Sequence, residues 1–155
     1  MYKNEFLGGG AFGKVCKGKE AVSGTVVAIK ELAVTDAEKV KVINEIRVLR
    51  TCTEKNHPNL LKMLDYSIDG NIIYLVLELC NEKDLREKMK TTTYTEKEAL
   101  ALAHQVADGI SVLHDLGIIH RDLKPENIMF HNGTPKVVDF GLSSSSATFQ
   151  SNSGT

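Results

Sequence analysis

The sequence predicts an α+β fold in which a strand-rich first half is followed by a helical second half. Residues 1–33 and 57–79 contain β-branched and apolar runs that are separated by turn residues. The segments that begin at Thr35 and Thr95 instead repeat their apolar residues with helical spacing. The chain has 155 residues, 42% of them hydrophobic and 25% charged, which is typical of a globular domain with its own core.

Composition argues against several classes of protein. The net charge of −1 gives no reason to expect nucleic acid or an anionic membrane as a partner. The longest apolar run, "IIYLVLEL", is interrupted by Glu78 and is too short to span a bilayer. The opening "MYKNEFLGGG" lacks the apolar core of a secretory signal. Cys16, Cys52 and Cys80 form no C-x-x-C motif, so we expect reduced thiols and a cytoplasmic protein.

The first half is predicted to consist of strands around one helix. "VVAIKEL" predicts a strand, and Ser23-Gly24 predicts the turn before it. Thr35 and Glu38 form a capping box, which predicts that a helix begins there. The apolar stripe of this helix consists of Val42, Ile43, Ile46 and Leu49. Asp69-Gly70 predicts a hairpin turn between the next two strands.

The second half is predicted to begin after Cys80, at the polar stretch "NEKD". Thr95 and Glu98 form a second capping box, which predicts the start of a long helix. Gly117 is placed to end that helix, because glycine readily adopts the left-handed conformation found after helix C-termini.

The segment "LGGGAFGKV" contains G-x-G-x-x-G at Gly8, Gly10 and Gly13. A dinucleotide-binding turn of this type opens directly into a helix and has an acidic residue about 20 positions on. Here the chain continues into another strand, and Lys30 stands at that distance from Gly10. A glycine-rich hairpin that brings backbone N–H groups close to phosphate oxygens therefore fits better.

Lys30 ends "VVAIK" and has two interpretations. It is either a solvated lysine at a strand end or a cation for phosphates, and the second role needs an acid to fix its position. Glu45 in the following helix could provide that acid, although an exposed pair with Lys41 is the simpler reading of Glu45.

The run "HRDLKPEN" carries the strongest chemical signal. It places a carboxylate at Asp122, a cation at Lys124 and an amide oxygen at Asn127, and Asp139 of "DFG" follows after "PKVV". These groups offer a base for a hydroxyl, a cation for a migrating phosphoryl group and two oxygen ligands for a hard metal. Magnesium prefers such a partial oxygen site, because it keeps waters and phosphates at its other positions.

With these motifs in order, the chain resembles the eukaryotic protein kinases from about Phe6 to its end. The matching motifs are "GGGAFGKV", "VAIK", an acid in the next helix, "HPNLL", "HRDLKPEN" and "DFG". The resemblance implies a protein-kinase-like fold with a complete β-rich small lobe, including one regulatory helix, at residues 1–79. It implies the first, incomplete part of the helical large lobe at residues 80–155, which ends within the activation segment at "SNSGT".

The resemblance implies Mg²⁺ and ATP as cofactors and a role for each matching residue. Asp122, Lys124, Lys30 and Glu45 would be catalytic, and Asn127 and Asp139 would bind the metal. The ATP-binding residues would be Leu7, Gly8, Gly9, Gly10, Ala11, Phe12, Gly13, Val15, Ala28, Lys30, Glu78, Cys80, Asp84 and Met129. Among these, Glu78 and Cys80 would offer hinge backbone hydrogen bonds, and Asp84 is placed for the ribose. Leu77 would be the gatekeeper, and Leu49, Met63, His120 and Phe140 would stack into the spine of the active state.

Lys124 implies protein substrates with Ser or Thr acceptors, whereas the regulatory partner is left open. We expect phosphorylated Ser151 to pair with Arg121 and order the activation segment. The alternative is that the serines of this segment are only solvated. Disorder is expected for Ser143 to Ser146, Thr148, Ser151 and Ser153. The long helix from Thr95 is expected to expose apolar surface.

Two alternatives to a protein kinase domain remain open. One is a catalytically impaired module that binds ATP or competes for the partners of a kinase. The other is a small-molecule phosphotransferase, which "HRDLKPEN" disfavours. For the kinase domain itself, we expect this chain alone to bind Mg-ATP weakly at best and to transfer phosphate very slowly or not at all.

Overall fold

The computed structural model describes residues 2–10, 13–139 and 144–145, with the backbone alone for residues 2–6, 8–10, 144 and 145. Contacts divide the chain into two compact units, residues 1–47 with 62–79 and residues 48–61 with 80–155. The lobe boundary between residues 79 and 80 stays a prediction. Each of the described helices is too short or too polar to cross a bilayer.

The first unit contains a five-stranded antiparallel sheet with the strand order β1-β2-β3-β5-β4. The strands are β1 (Tyr2–Gly10), β2 (Gly13–Lys19), β3 (Val26–Ala33), β4 (Met63–Asp69) and β5 (Ile72–Glu78). β3 lies at the centre, where Val27 and Ile29 are buried and cluster with Val76 of β5. Such burial favours folding by ~1.5–3 kcal/mol for each side chain of this size.

The hairpin turns place glycines where the backbone is left-handed. Gly24 has φ = 71° in the turn between β2 and β3, as Ser23-Gly24 predicted. The turn between β4 and β5 lies one residue later than predicted, at Gly70 and Asn71. The reason is that Asp69 still pairs with Ile72, so the sheet ladder extends to Asp69 and leaves Gly70, with φ = 56°, to begin the reversal.

β4 forms one edge of the sheet. Its exposed apolar side chains are Leu64, Tyr66 and Ile68, and an acidic side chain stands at Asp65 between the first two. The backbone N–H of Tyr66 donates a hydrogen bond to Oδ1 of Asp65 over 2.8 Å. The β4 edge therefore exposes apolar side chains, but the backbone N–H of Tyr66 is already hydrogen-bonded to Asp65.

α1 spans Asp36–Glu54, and its predicted capping box is confirmed. The backbone N–H of Thr35 donates to Oε2 of Glu38 over 2.9 Å, and the N–H of Glu38 donates back to the Thr35 hydroxyl over 3.4 Å. Two N–H groups that the helix itself cannot satisfy are thus satisfied. Ile46 and Leu49 of the predicted stripe are buried.

The second unit is built around α3 (Glu96–Asp115), whose predicted caps are confirmed. Thr95 and Glu98 form the capping box, and Gly117 follows the helix with φ = 70° while its N–H donates to the carbonyl of His114. Around α3 lie α2 (Leu85–Thr91), β6 (Ile118–Ile119), a 3₁₀ turn (Pro125–Asn127), β7 (Ile128–His131), β8 (Thr134–Val137) and β9 (Ser144–Ser145).

α3 exposes apolar surface, as expected from the sequence, and its Leu100 is 60% exposed. Leu102 and Val106 pack against a buried cluster of Leu85, Ile128 and Phe130. An open cavity of about 850 Å³ lies beside them, with Met89 and Leu123 among its exposed apolar lining residues.

The expectation of disorder for Ser143 to Ser146 is wrong for the two serines that the structure describes. Ser144 pairs with Ile119 and Ser145 pairs with Ile118, so β6 and β9 form a short antiparallel ladder. Backbone pairing of this kind requires no apolar side chain on the added strand, which is why composition did not indicate it. Outside the described residues lie Ser143, Ser146, Thr148, Ser151 and Ser153.

Candidate active site

The loop after β6 is organised by His120, which is 3% exposed. Its Nε2 lies 2.8 Å from the carbonyl oxygen of Val138, and its Nδ1 accepts the backbone N–H of Asp122 over 3.3 Å. Because Nδ1 accepts and Nε2 faces a carbonyl, the neutral ring with its proton on Nε2 satisfies both contacts. The ring thereby joins the segment that carries Asp122 to the segment that leads into Asp139.

Asp122, Lys124 and Asn127 are brought together in the same loop. Nζ of Lys124 lies 2.9 Å from Oδ2 of Asp122, and Nδ2 of Asn127 donates to the carbonyl oxygen and to Oδ2 of Asp122 over 2.8 and 3.2 Å. The hydrogen bond from Lys124 is the main reason that the pKa of Asp122 is lowered. The same contact raises the pKa of Lys124. Asp122 is thus held as a carboxylate that can accept a proton.

Asn127 and Asp139 have the atoms that a magnesium site requires. Both hydrogen bonds of the buried Asn127 side chain use its amide nitrogen, so its oxygen Oδ1 is the atom that could bind a metal ion. Asp139 is half-buried and supplies a carboxylate. Within the described residues, no three His, Cys, Asp or Glu side chains cluster. An amide oxygen with a carboxylate fits Mg²⁺, which retains water and phosphate ligands.

The backbone is strained at two positions of the candidate site, directly before Asp122 and at Asp139. Arg121 and Asp139 have φ angles of 68° and 64°, although neither is glycine. Each such residue costs on the order of 1–3 kcal/mol, and such strain persists where surrounding contacts determine the conformation. Asn56 and Asn132 have positive φ as well, so the strain accompanies the candidate site at Arg121 and Asp139 and does not by itself identify it.

In the first unit, the glycine-rich segment forms a hairpin and does not open into a helix. Gly8 pairs with Val15 and Gly10 pairs with Gly13 across β1 and β2. Gly13 has φ = 122°, and a Cβ atom there would lie 2.1 Å from the carbonyl oxygen of Glu31. Only glycine fits this position, because any side chain would meet β3 and the backbone has a positive φ. Ala11 and Phe12 lie outside the described residues.

Lys30 lies on β3, directly opposite Val15 of β2 and Leu75 of β5. Directly opposed residues share a face of the sheet, as do residues two apart on one strand. Val15, Ala28 and Lys30 therefore lie on one face, the first and last half-buried and Ala28 buried. Glu45 is half-buried on α1, and its pairing with Lys30 stays a prediction.

Glu78 and Asp84 both have structural roles that we did not predict. The backbone N–H of Glu78 donates to the carbonyl of Lys62 over 3.0 Å, so a hydrogen bond to a ligand would have to use the Glu78 carbonyl oxygen. Asp84 is the N-cap of α2, and its Oδ1 accepts the N–H of Glu87 over 2.9 Å. The sequence signal was present, because an aspartate three residues before a glutamate resembles a capping box.

The remaining predicted residues are distributed over the described chain. Met129 lies on β7 opposite Lys136 and is half-buried, and Cys80 is also half-buried. The predicted spine residues Leu49, Met63 and His120 are buried. Phe140 and Ser151 lie outside the described residues.

Comparison with known proteins gives a consistent result. The family model of the protein kinase domain matches residues 1–155. Calcium/calmodulin-dependent protein kinase type 1B of Homo sapiens is 40% identical over 146 residues, which cover 90% of this chain and 42% of that protein. Calcium and calcium/calmodulin-dependent serine/threonine-protein kinase of Lilium longiflorum is 42% identical over 123 residues, covering 75% of this chain and 23% of that protein. Sperm motility kinase 2B of Mus musculus is 34% identical over 140 residues, with shares of 89% and 28%.

The chain therefore belongs to the protein kinase family. It has the α+β fold of that family, with the antiparallel sheet and first helix of the small lobe followed by the beginning of the helical large lobe. It spans less than half the length of these relatives.

Proposed function

We propose that this chain supplies the nucleotide site and the catalytic loop of a serine/threonine protein kinase. The observation that carries the proposal is the contact set of Asp122, whose carboxylate is bonded by Lys124 and Asn127 within one short loop. The lowered pKa keeps Asp122 ionised, so its carboxylate can accept a hydrogen bond from the substrate hydroxyl and orient it, and the fixed cation lies beside the phosphoryl group that moves.

In the proposed reaction, a Ser or Thr hydroxyl oxygen of a protein substrate attacks the γ-phosphorus of ATP. The new oxygen–phosphorus bond forms as the bond to the β–γ bridging oxygen breaks, and ADP leaves with that electron pair. Asp122 orients the hydroxyl and accepts its proton. Lys124, held 2.9 Å from Asp122, balances the negative charge of the migrating phosphoryl group.

Asn127 and Asp139 would hold Mg²⁺ through Oδ1 of the amide and the carboxylate. A bound Mg²⁺ neutralises the charge of the nucleotide phosphates. The bonds from Asn127 to Asp122 support the proposal that one side chain would serve both functions. Its amide nitrogen braces the carboxylate that accepts the proton, while its oxygen remains for the metal.

The nucleotide roles follow from the same family. The hairpin glycines from Gly8 to Gly13 would cover the phosphates, and Lys30, fixed by Glu45, would bind them. The adenine would lie against Val15, Ala28 and Met129, with backbone hydrogen bonds at Glu78 and Cys80. The shared sheet face of Val15, Ala28 and Lys30 supports this assignment, because it aligns two apolar contacts with one cation. Asp84 would bind the ribose through the carboxylate oxygen that does not cap α2.

The test uses the full-length protein with Mg-ATP and a panel of Ser, Thr and Tyr peptides. Asp122→Asn should lower phosphoryl transfer by about 10²–10⁴-fold while ATP affinity stays near that of the wild type, because the carboxylate acts on the hydroxyl and not on the nucleotide. Asp115→Asn, an exposed change at the end of α3, is the control and should leave both quantities unchanged.

Three outcomes would contradict the proposal in different ways. Full turnover by Asp122→Asn would remove the role assigned to Asp122. ATP binding by a wild type that phosphorylates none of the peptides would favour a catalytically impaired ATP-binding module. Phosphorylation of small molecules in place of peptides would favour the phosphotransferase alternative.

A further inference from the structure

The segment that follows α1 is bound to β8, the strand that leads into Asp139. The N–H of Val137 donates to the carbonyl of Asn59 over 2.9 Å, and the N–H of Leu61 donates to the carbonyl of Val137 over 3.1 Å. Leu60 forms a parallel bridge with Val137 between these two bonds. β8 therefore has β7 on one side and residues 59–61 on the other.

Two buried polar side chains add hydrogen bonds to this contact, one donated to β8 and the other donated by β8. Asn59 is 5% exposed, and its Nδ2 donates to the carbonyl of Pro135 over 2.8 Å. Lys136 is 6% exposed, and its Nζ donates to the carbonyl of Pro58 over 3.0 Å. Buried amide and ammonium groups are costly to leave without partners, so each bond strongly favours this arrangement over a displaced one.

A third element approaches the same asparagine. Gly109 of α3 is buried, and a Cβ atom at that position would lie 3.0 Å from the carbonyl oxygen of Asn59 and 3.3 Å from its Cβ. A side chain there would push Asn59 or α3 away, so glycine permits the close approach. Asn59 is thus in contact with α3 while its amide holds β8.

These bonds continue directly to Asp139. The N–H of Val138 donates to the carbonyl of Asn127 over 2.9 Å, and the carbonyl of Val138 faces His120. The N–H and C=O groups of both Val137 and Val138 are therefore all hydrogen-bonded, to residues 59–61, Asn127 and His120. Asp139 follows at once with its left-handed backbone, a conformation that persists only where its surroundings impose it.

We propose that Asn59 is a positioning residue for Asp139. Its bonds to Pro135 and Val137 fix the position of β8 and therefore of Asp139, which follows β8. Its contact with Gly109 fixes β8 relative to α3. Asn59 does not touch the reacting atoms. The inference rests on the proposed function only in so far as Asp139 binds Mg²⁺. The bonds of Asn59 to Pro135 and Val137, together with its contact with Gly109, form what we call the clamp on β8, which is testable without that function.

The first experiment measures backbone hydrogen exchange in the full-length protein. Asn59→Ala should speed deuterium uptake by about three- to tenfold in the peptide that covers residues 134–139, because β8 loses a bond on its Asn59 side. Leu113→Ala is the matched control, since Leu113 is wholly buried on α3. It should lower the melting temperature at least as much while the main rise in uptake occurs on α3. Unchanged uptake at residues 134–139 in Asn59→Ala would overturn the proposal.

The second experiment measures the Mg²⁺ concentration that half-saturates phosphoryl transfer. Asn59→Ala should raise it at least threefold, below the ~10–100-fold that is typical for groups bonded to a metal ligand itself, and excess Mg²⁺ should restore most of the rate. Leu113→Ala should leave it unchanged, and a loss of rate that excess Mg²⁺ does not restore in Asn59→Ala would argue for a merely structural role. If the wild type transfers no phosphate, the proposed function fails and the exchange result still decides the role of Asn59.

Gly109→Ala provides the same test if Asn59→Ala does not fold. The added methyl would lie 3.0 Å from the Asn59 carbonyl oxygen and should displace Asn59 by a few tenths of an ångström without removing its amide. We expect a smaller rise in uptake at residues 134–139 in this variant. A variant that changed uptake on α3 alone would count against the contact with α3 as part of the clamp.

Discussion

The buried ring of His120 spans from the backbone N–H of Asp122 to the carbonyl oxygen of Val138, the residue before Asp139. One side chain therefore links the segment of the proposed proton acceptor to the segment of the proposed metal ligand. Both contacts are to backbone atoms, so they restrain the path of the chain and leave the two carboxylates themselves available for chemistry.

The lowered pKa of Asp122 should depend on Lys124. We expect Lys124→Ala to raise the pKa of Asp122 towards its ordinary value, because the hydrogen bond from Lys124 is the largest cause of the shift. Since the folded-state pKa is lowered, this pair favours the folded state above the ordinary carboxyl pKa and loses its effect as the pH falls through the lowered value. Carbon-detected NMR titration of the side-chain carboxyl measures the shift.

The control for that titration is Lys97→Ala, which removes an exposed lysine from α3. It should leave the pKa of Asp122 unchanged. Equal Asp122 titration curves in the wild type and in Lys124→Ala would contradict the ion pair as the cause.

Phosphorylation of Ser151 should act through Arg121 in the full-length protein. Ser151→Ala should lower kinase activity, since the phosphate and the guanidinium would form a charge-assisted pair that orders the activation segment. Arg121→Ala should lower activity as well, and Ser151→Ala should have no further effect in that background. The measurement is a double-mutant cycle on initial rates, and strictly additive losses would rule out the pairing.

Gly13 should tolerate substitution less well than Gly70, although both have positive φ. Gly70→Ala meets no atom within 4 Å and should cost only ~1–2 kcal/mol of unfolding free energy for its left-handed backbone. Gly13→Ala would place alanine at φ = 122°, outside the left-handed region open to L-residues, and its Cβ would also lie 2.1 Å from the Glu31 carbonyl oxygen. Urea unfolding should therefore show a larger loss of unfolding free energy in Gly13→Ala than in Gly70→Ala. Equal losses would mean that β3 can move away from the added methyl group at little cost.

The cap of α2 should contribute measurably to stability. Asp84→Ala should lower the free energy of unfolding by about 0.5–2 kcal/mol, because the N–H of Glu87 loses its acceptor. Asp84→Asn is the matched control, since asparagine caps helices about as well as aspartate. Thermal unfolding of the three proteins provides the comparison, with identical melting temperatures for Asp84→Ala and the wild type as the contrary result.

The sequence predicted those parts of the fold whose signals are local. Capping residues located the starts of α1 and α3, because Thr35 and Thr95 act on N–H groups only a few residues away. The same type of signal was overlooked at Asp84, where a helix of seven residues is too short to show apolar periodicity. The β4–β5 turn was misplaced by one residue, because strand pairing and not the Asp-Gly dipeptide decides where the ladder ends.

The candidate site was predictable in its residue types and not in its geometry. Motif spacing identified Asp122, Asn127 and Asp139, but the positive φ of Asp139 carries no local signal at a residue other than glycine. The clamp of Asn59 on β8 joins residues 76 positions apart, so it depends on tertiary contacts that no local pattern encodes. For the same reason, Lys136 gave no sign that it would be buried.

The edge strand β4 has a consequence for how the protein behaves at high concentration. Its exposed side chains, Leu64, Tyr66 and Ile68, would favour alignment with the same strand of a second molecule. Asp65 opposes this, because its carboxylate already occupies the N–H of Tyr66 and would bring a negative charge into any stacked pair. Colloidal stability at this edge therefore depends on a charged side chain, and it should decline in high-salt solution, where that charge is screened.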